Sequence, residues 1–152
     1  MRPAAQHLQL EQFMPFRLNR LAAAVSQHLS AIYRERFALE IPDWRVMATV
    51  GERGRCTAQH VADSTRMHKT RVSRAIARLR RRGLIARRPS RGDGREKALQ
   101  LTRAGRRLYA RLVPLALARE RALLRSLSAA DRRGLAAGIA ALERLLRLNS
   151  LT

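Results

Sequence analysis

A single apolar stripe inside an arginine-rich stretch does most to limit what this chain can become. Val72, Ile76 and Leu79 recur at intervals of four and three residues, so they share one side of a helix. Lys69, Thr70, Arg71, Ser73, Arg74 and Arg78 then fall away from that side. Gly83 follows the last apolar position, as expected of a left-handed C-terminal cap. From Arg66 to Lys97 there are 13 Lys or Arg against 2 acids, Asp93 and Glu96. One reading of such a run is a solvated basic face. The other is a recognition element. A helix with one buried stripe, and Arg, Lys, Ser and Thr opposite it, has the size and the donors to enter a DNA major groove.

The flanking residues favour the second reading. Thr57 to Ser64 is expected as a short helix, with Thr57 as N-cap and Val61 and Ala62 as apolar positions. The two helices together fit a helix-turn-helix, whose second member reads base edges. Beyond Gly83, Leu84 to Pro89 and Glu96 to Leu101 each suit a short strand. Residues 90–95 between them supply two glycines and Asp93, all turn formers. Arg55 to Thr57 is expected to add a minimal third strand. A hairpin with a cationic tip beside a recognition helix makes a winged helix-turn-helix. Arg91 and Arg95 are expected to reach phosphates or the adjacent minor groove, whose negative potential attracts Arg. Asp93 is expected to orient Arg95, because a carboxylate facing phosphate is repelled. The candidate DNA-binding set is Thr57, His68, Lys69, Thr70, Arg71, Ser73, Arg74, Arg78, Arg91, Asp93, Arg95 and Lys97.

Gly83 to Arg88, Asp93 to Lys97 and Leu101 to Gly105 resemble the signature of the MarR family of bacterial transcription regulators. Ile41 to Met47 resembles that family's second helix, and the similarity spans about Pro15 to Pro114. The resemblance implies a homodimer that binds palindromic operators in double-stranded DNA. It also implies a repressor, usually released by a small, often aromatic or phenolic, acid. One departure matters. The family's recognition helix commonly opens with Asp, and here that place is His68. Imidazole is a poorer cap and donates when protonated, so base preference is not carried over at this position. The family's ligand pocket lies between the dimer helices and the winged part. Arg17, Arg20 and His28 on the first helix, with Trp44 on the second, are the candidate ligand-binding residues. The plainer alternative leaves the arginines solvated or paired with acids such as Glu11, and Trp44 in the core.

Composition bounds the rest. At 152 residues the chain falls in the range of one domain. Apolar residues make up 46% and aromatics 4%, so the core must be built mostly from Leu, Ala, Ile and Val. That favours a mainly α fold, with a small antiparallel β wing and N- and C-terminal dimerisation helices. The expected divisions are a disordered 1–9, a dimerisation helix in 10–40, the winged helix-turn-helix DNA-binding region in 41–101, and C-terminal dimerisation helices in 102–152. The first helix is expected from about Leu10 to Phe37, with Met14, Leu18, Leu21, Val25, Leu29 and Ile32 on one stripe. Pro42 to Glu52 is the next, followed by a turn flanked by Gly51 and Gly54. Thr102 caps a helix expected to kink at Pro114. Ser128 to Asp131 is close to a capping box ahead of the last helix, which carries Leu135, Ile139, Leu142, Leu145 and Leu146. A monomeric bundle with these leucines inside is the alternative to a dimer. The dimer is preferred, because two recognition helices related by a dyad read half-sites about 10 base pairs apart.

The net charge of +21 creates a field that attracts polyanions without choosing among them. A sequence-nonspecific nucleoid or RNA-binding protein is therefore a competing reading. A lone Cys56 excludes an internal disulfide and fits a reducing cytoplasm. A third reading makes Cys56 a thiol-based redox sensor, its pKa depressed by Arg53 and Arg55. Against that, a free cysteine is commonly a small buried residue. No apolar run is long enough to span a bilayer and no signal-peptide core is present, so a cytoplasmic location without a membrane partner is expected. The acids, Asp43 among them, are scattered on expected helix surfaces. No phosphate loop or nucleophile elbow occurs, so no catalytic residue and no enzyme activity are expected. The four histidines lack zinc-like spacing to each other or to Cys56, and neither a metal nor another cofactor is expected.

Overall fold

The computed structural model describes residues 7–89 and 97–148. Six helices and one hairpin follow in the order α1 (Met14–Phe37), α2 (Ile41–Arg53), α3 (Ala58–Thr65), α4 (Lys69–Arg81), β1 (Ile85–Pro89), β2 (Lys97–Leu101), α5 (Arg103–Arg125) and α6 (Ala129–Leu145). The described residues divide into two compact units, one ending at Ile41 and the other beginning at Pro42.

In the first unit α1 starts at Met14, beside the Pro15 expected to mark the start of its regular part. Residues 9–13 instead form a turn, in which the Gln12 and Phe13 amides donate to the Gln9 carbonyl at 3.0 and 3.1 Å. Phe13 is extended at the N-cap and Pro15 follows within the first two helical positions, where its missing N–H is not needed. The helix ends with Ala38 in the left-handed region (φ 49°), its amide donating to the Arg34 carbonyl.

In the second unit the core gathers around α4. Val72, Ala75, Ile76 and Leu79 are buried along it, with Val46, Met47 and Val50 of α2, Val61 of α3, and Leu99 and Leu101 of β2. The α4 stripe is the expected one plus Ala75, which a volume-weighted reading of the pattern overlooks. At the helix end, the Gly83 amide donates to the Arg80 carbonyl and the Leu84 amide to the Leu79 carbonyl, both at 2.9 Å. With Gly83 at φ 66° this is a Schellman motif, and only glycine adopts it without steric cost.

β1 and β2 pair antiparallel from Ile85 opposite Leu101 to Pro89 opposite Lys97. Cys56 adds one bridge to Leu99, a minimal third strand, with amide–carbonyl distances of 3.2 and 2.7 Å. The Thr102 side chain accepts from the Gly105 amide and caps α5, which runs unbroken through Pro114. Proline removes one backbone bond there, but the apolar pattern on either side keeps the helix going. Ser128 caps α6 by accepting from the Asp131 amide. The rest of the capping box is altered: the Ser128 hydroxyl donates to the Asp131 carboxylate at 2.6 Å. α6 buries no residue at all.

Gly51 departs from the expected turn. It lies inside α2, and a Cβ there would meet the Tyr109 ring of α5 at 2.6 Å. Its small size seats the tyrosine. The turn is made by Gly54, at φ 72°.

Candidate nucleic-acid interface

The interface is built on α3 and α4. The Thr57 side chain accepts from the His60 amide at 3.0 Å and starts α3. Arg66, left-handed at φ 54°, ends it and turns the chain toward α4. His68 then takes the N-cap position of α4, its Nδ1 accepting from the Thr70 amide at 3.2 Å.

His68, Lys69, Thr70, Arg71, Ser73 and Arg74 are all exposed. Lys69, Arg71 and Arg74 take part in no ion pair among the described residues. The fold thus presents together six of the side chains singled out in the sequence, five on α4 and one at its cap. Thr57 is half-buried, and its oxygen is engaged by the cap. Lys97 is exposed at the start of β2. Arg91, Asp93 and Arg95 lie outside the described residues.

Arg78 departs from the exposed row. Its Nη2 and Nε reach Asp43 Oδ1 at 2.7 and 3.0 Å, and the Asp43 side chain is only 4% exposed. Asp43 is accordingly not a surface acid, contrary to the expectation from its charged neighbours. Two guanidinium donors converging on one carboxylate oxygen make a charge-assisted pair that is directional as well as strong. This one ties the first turn of α2 to the C-terminal half of α4 and fixes how the two helices pack. Arg78's best-placed donors therefore point into the protein. The spacing of α4 sets Arg78 among the residues falling away from the apolar stripe, and nothing in the sequence pairs it with a residue 35 positions away.

Two more contacts were not singled out in the sequence. Arg55 Nη2 donates to the Pro89 carbonyl at 3.2 Å, bracing the end of β1 against the loop before α3. Gln59 Nε2 donates to Asp63 Oδ1 at 2.7 Å on the exposed side of α3. Those two residues border a concavity of about 470 Å³ at the helix-turn-helix corner, with Arg66, His68 and Lys69.

Cys56 is half-buried. Burial pushes its thiol above the ordinary value, and the charge of Arg53 offsets only part of that. This is the reverse of the depressed pKa that a redox sensor would need. Among the described residues no cluster of three or more His, Cys, Asp or Glu could hold a metal ion. No described helix is long and apolar enough to cross a membrane.

The candidate ligand residues fall in different units. Arg17, Arg20 and His28 are exposed on α1, with the Arg20 guanidinium 5.6 Å from the Phe16 ring centre. Trp44 belongs to the second unit, where it stacks on Tyr109 at 6.4 Å between ring centres. The two rings border a cavity of about 290 Å³ between α2 and α5, lined also by Ala48, Thr49, Glu52 and Val113. Tyr109 was missed in the sequence. Its spacing from the leucines of α5 marks it as one more apolar position, and Gly51, which makes room for it, reads as a turn.

Residues 39–96, from just before α2 to the wing, match the model of the MarR family. A curated relative, the HTH-type transcriptional repressor IacR of Pseudomonas putida, is 23% identical over 103 residues, which is 68% of this chain and 61% of that protein. The chain thus spans about three-fifths of that relative's length. A MarR/EmrR family transcriptional regulator from Acinetobacter sp. ADP1 shares the fold with a TM-score of 0.80 at 24% identity, over 92% of this chain and 99% of the other. Sco3205 of Streptomyces coelicolor, solved in complex with DNA, aligns with a TM-score of 0.75 at 21% identity over 93% and 91%. NadR, solved with 4-hydroxyphenylacetate, aligns with a TM-score of 0.70 at 21% identity over 93% and 97%. Residues 39–96 are thus similar to the MarR family, and the chain shares with these regulators a mainly helical fold with a winged helix-turn-helix at its centre.

Proposed function

We propose that this chain is a dimeric, sequence-specific DNA-binding transcriptional regulator, a repressor released by a small aromatic or phenolic acid. The observation that carries the reading is α4. Its apolar stripe is buried, its His68–Arg74 end is exposed and cationic, and the Asp43–Arg78 pair holds it in one orientation. Such a helix offers Arg, Lys, Ser and Thr donors to base edges, and a second copy supplies the other half-site. Trp44 and Tyr109 beside an open cavity suit a planar effector, and the neighbouring fold of NadR binds 4-hydroxyphenylacetate. Such a ligand lowers DNA affinity only through different affinities for the two arrangements of the recognition helices.

Selection of bound fragments from a random duplex pool tests this reading. It should return a palindrome with half-sites one helical turn apart. Against that sequence, Arg74→Ala should lose about 1–3 kcal/mol and relax preference at one base position. Titration of 4-hydroxyphenylacetate into the complex should release DNA if this acid class is right. Equal affinity for every duplex at fixed salt would instead favour a general polyanion binder acting through the net charge of +21.

A further inference from the structure

The cavity between α2 and α5 carries a charge that an effector has to match. Its volume of about 290 Å³ is near the lower end for ligand sites and suits a single ring. Trp44, Tyr109, Val113 and Leu117 give it an apolar wall, and no Lys, Arg or His lines it. The one charged residue on the lining is Glu52, exposed in the last turn of α2. Glu52 takes part in no hydrogen bond or ion pair among the described residues. The helix does not account for it either, because the C-terminal end of a helix dipole is negative and disfavours an acid. Thr49 lies one turn earlier on the same side of α2. It gives its hydroxyl proton to the Arg45 carbonyl at 2.9 Å, so it offers the cavity only lone pairs. Glu52 and Thr49 therefore make an acceptor pair beside an aromatic wall.

An acceptor pair meets a ligand that brings a proton. It repels a ligand carboxylate and receives a hydroxyl or an amino N–H. We infer that Glu52 selects the effector by a hydrogen-bond donor on its ring, remote from the acid group. A phenolic acid then binds with its hydroxyl toward Glu52 and its carboxylate away from it. This rests on the proposed release by an aromatic or phenolic acid and narrows that class. An aromatic acid without a ring donor desolvates the Glu52 carboxylate and returns nothing to it. Sites built around such a hydrogen bond discriminate against the analogue that lacks it far more than against a change of one methylene.

Isothermal titration of the full chain tests this with 4-hydroxyphenylacetate, phenylacetate, 4-methoxyphenylacetate and 4-hydroxyphenethylamine. The hydroxylated acid should bind at least about tenfold more tightly than phenylacetate, the lower end for a hydrogen bond to a charged group. 4-Methoxyphenylacetate keeps the ring oxygen and lacks its proton, so it should bind no better than phenylacetate. Glu52→Ala should bring the hydroxylated acid down to the affinity of phenylacetate. Glu52→Gln keeps an accepting carbonyl and should retain part of the preference. The ratio of the two affinities is the readout, since a general loss of binding leaves it unchanged. Equal affinities in the wild type, or a ratio unaltered in Glu52→Ala, overturn the inference alone if either acid still releases DNA. A Glu52-dependent preference without release of DNA sustains the inference and overturns the effector part of the proposed function. Binding of the amine in preference to the acid, lost in Glu52→Ala, overturns both, because Glu52 then holds an ammonium group. No binding by either of the unmethylated acids also overturns both.

Discussion

Cys56 shows how one position changes meaning between chain and fold. In the sequence its neighbours are Arg53 and Arg55, which favour a thiolate. In the fold it is half inside and bridged to Leu99, and desolvation outweighs Arg53. The thiol is therefore held protonated above its ordinary range. Iodoacetamide should label the native protein slowly at pH 8, and faster in urea, where the thiol is solvated. The native rate should climb only as pH passes above the ordinary thiol range. A native rate at pH 7 exceeding that of the unfolded chain would restore the redox reading. The same shift has a stability consequence. The folded state holds this proton more tightly than the unfolded state, so stability from this group is present below the unfolded thiol value and declines as pH rises beyond it.

At the scale of elements, the C-terminal half of α4 is fixed by parts remote in sequence. Asp43 holds it from α2, and the start of α5 closes on its exit. The Thr102 hydroxyl donates to the Gly83 carbonyl at 2.6 Å, and the Thr102 amide donates to the Leu84 carbonyl at 3.0 Å. Gly105 completes this joint, for a Cβ there would lie 2.0 Å from the Leu84 carbonyl oxygen. Neither backbone can yield cheaply, since each is committed to a cap. Gly105→Ala should therefore destabilise the fold by about 1–3 kcal/mol, as overpacking does, despite alanine's better helix propensity. Urea unfolding measures this. Equal or greater stability in the variant would mean that the α4–α5 joint is slack.

For the whole molecule, the question is what covers its exposed apolar surface. α6 buries nothing within the chain, yet Leu135, Ile139, Leu142, Leu145 and Leu146 are 36% to 75% exposed. On α1, Met14, Leu18 and Leu21 are 42% to 57% exposed. Contiguous apolar faces of this kind are uncommon on monomers and mark association. A second copy of the chain is the partner that the proposed reading of two half-sites requires. Light scattering should give twice the chain mass for the wild type and the single mass for Leu142→Glu/Leu146→Glu. That variant should keep its helical content and lose most operator affinity, since one recognition helix remains. A wild-type chain that stays single on its operator would remove the dimer from the proposal.

What the chain announces by itself is local. Val72, Ile76 and Leu79 place a helix because periodicity is a property of neighbours along the sequence. Thr57, Gly83, Thr102 and Ser128 mark helix ends because each acts on backbone within a few residues. From these alone come the helix-turn-helix, the hairpin and the basic face. What the tertiary structure decides is pairing across distance. Arg78 and Asp43, Arg55 and Pro89, and Gly51 and Tyr109 have no signature in spacing, because each contact depends on how two elements pack. The sequence can name an arginine as cationic. Only packing determines whether it faces a buried carboxylate or the solvent where a phosphate can reach it.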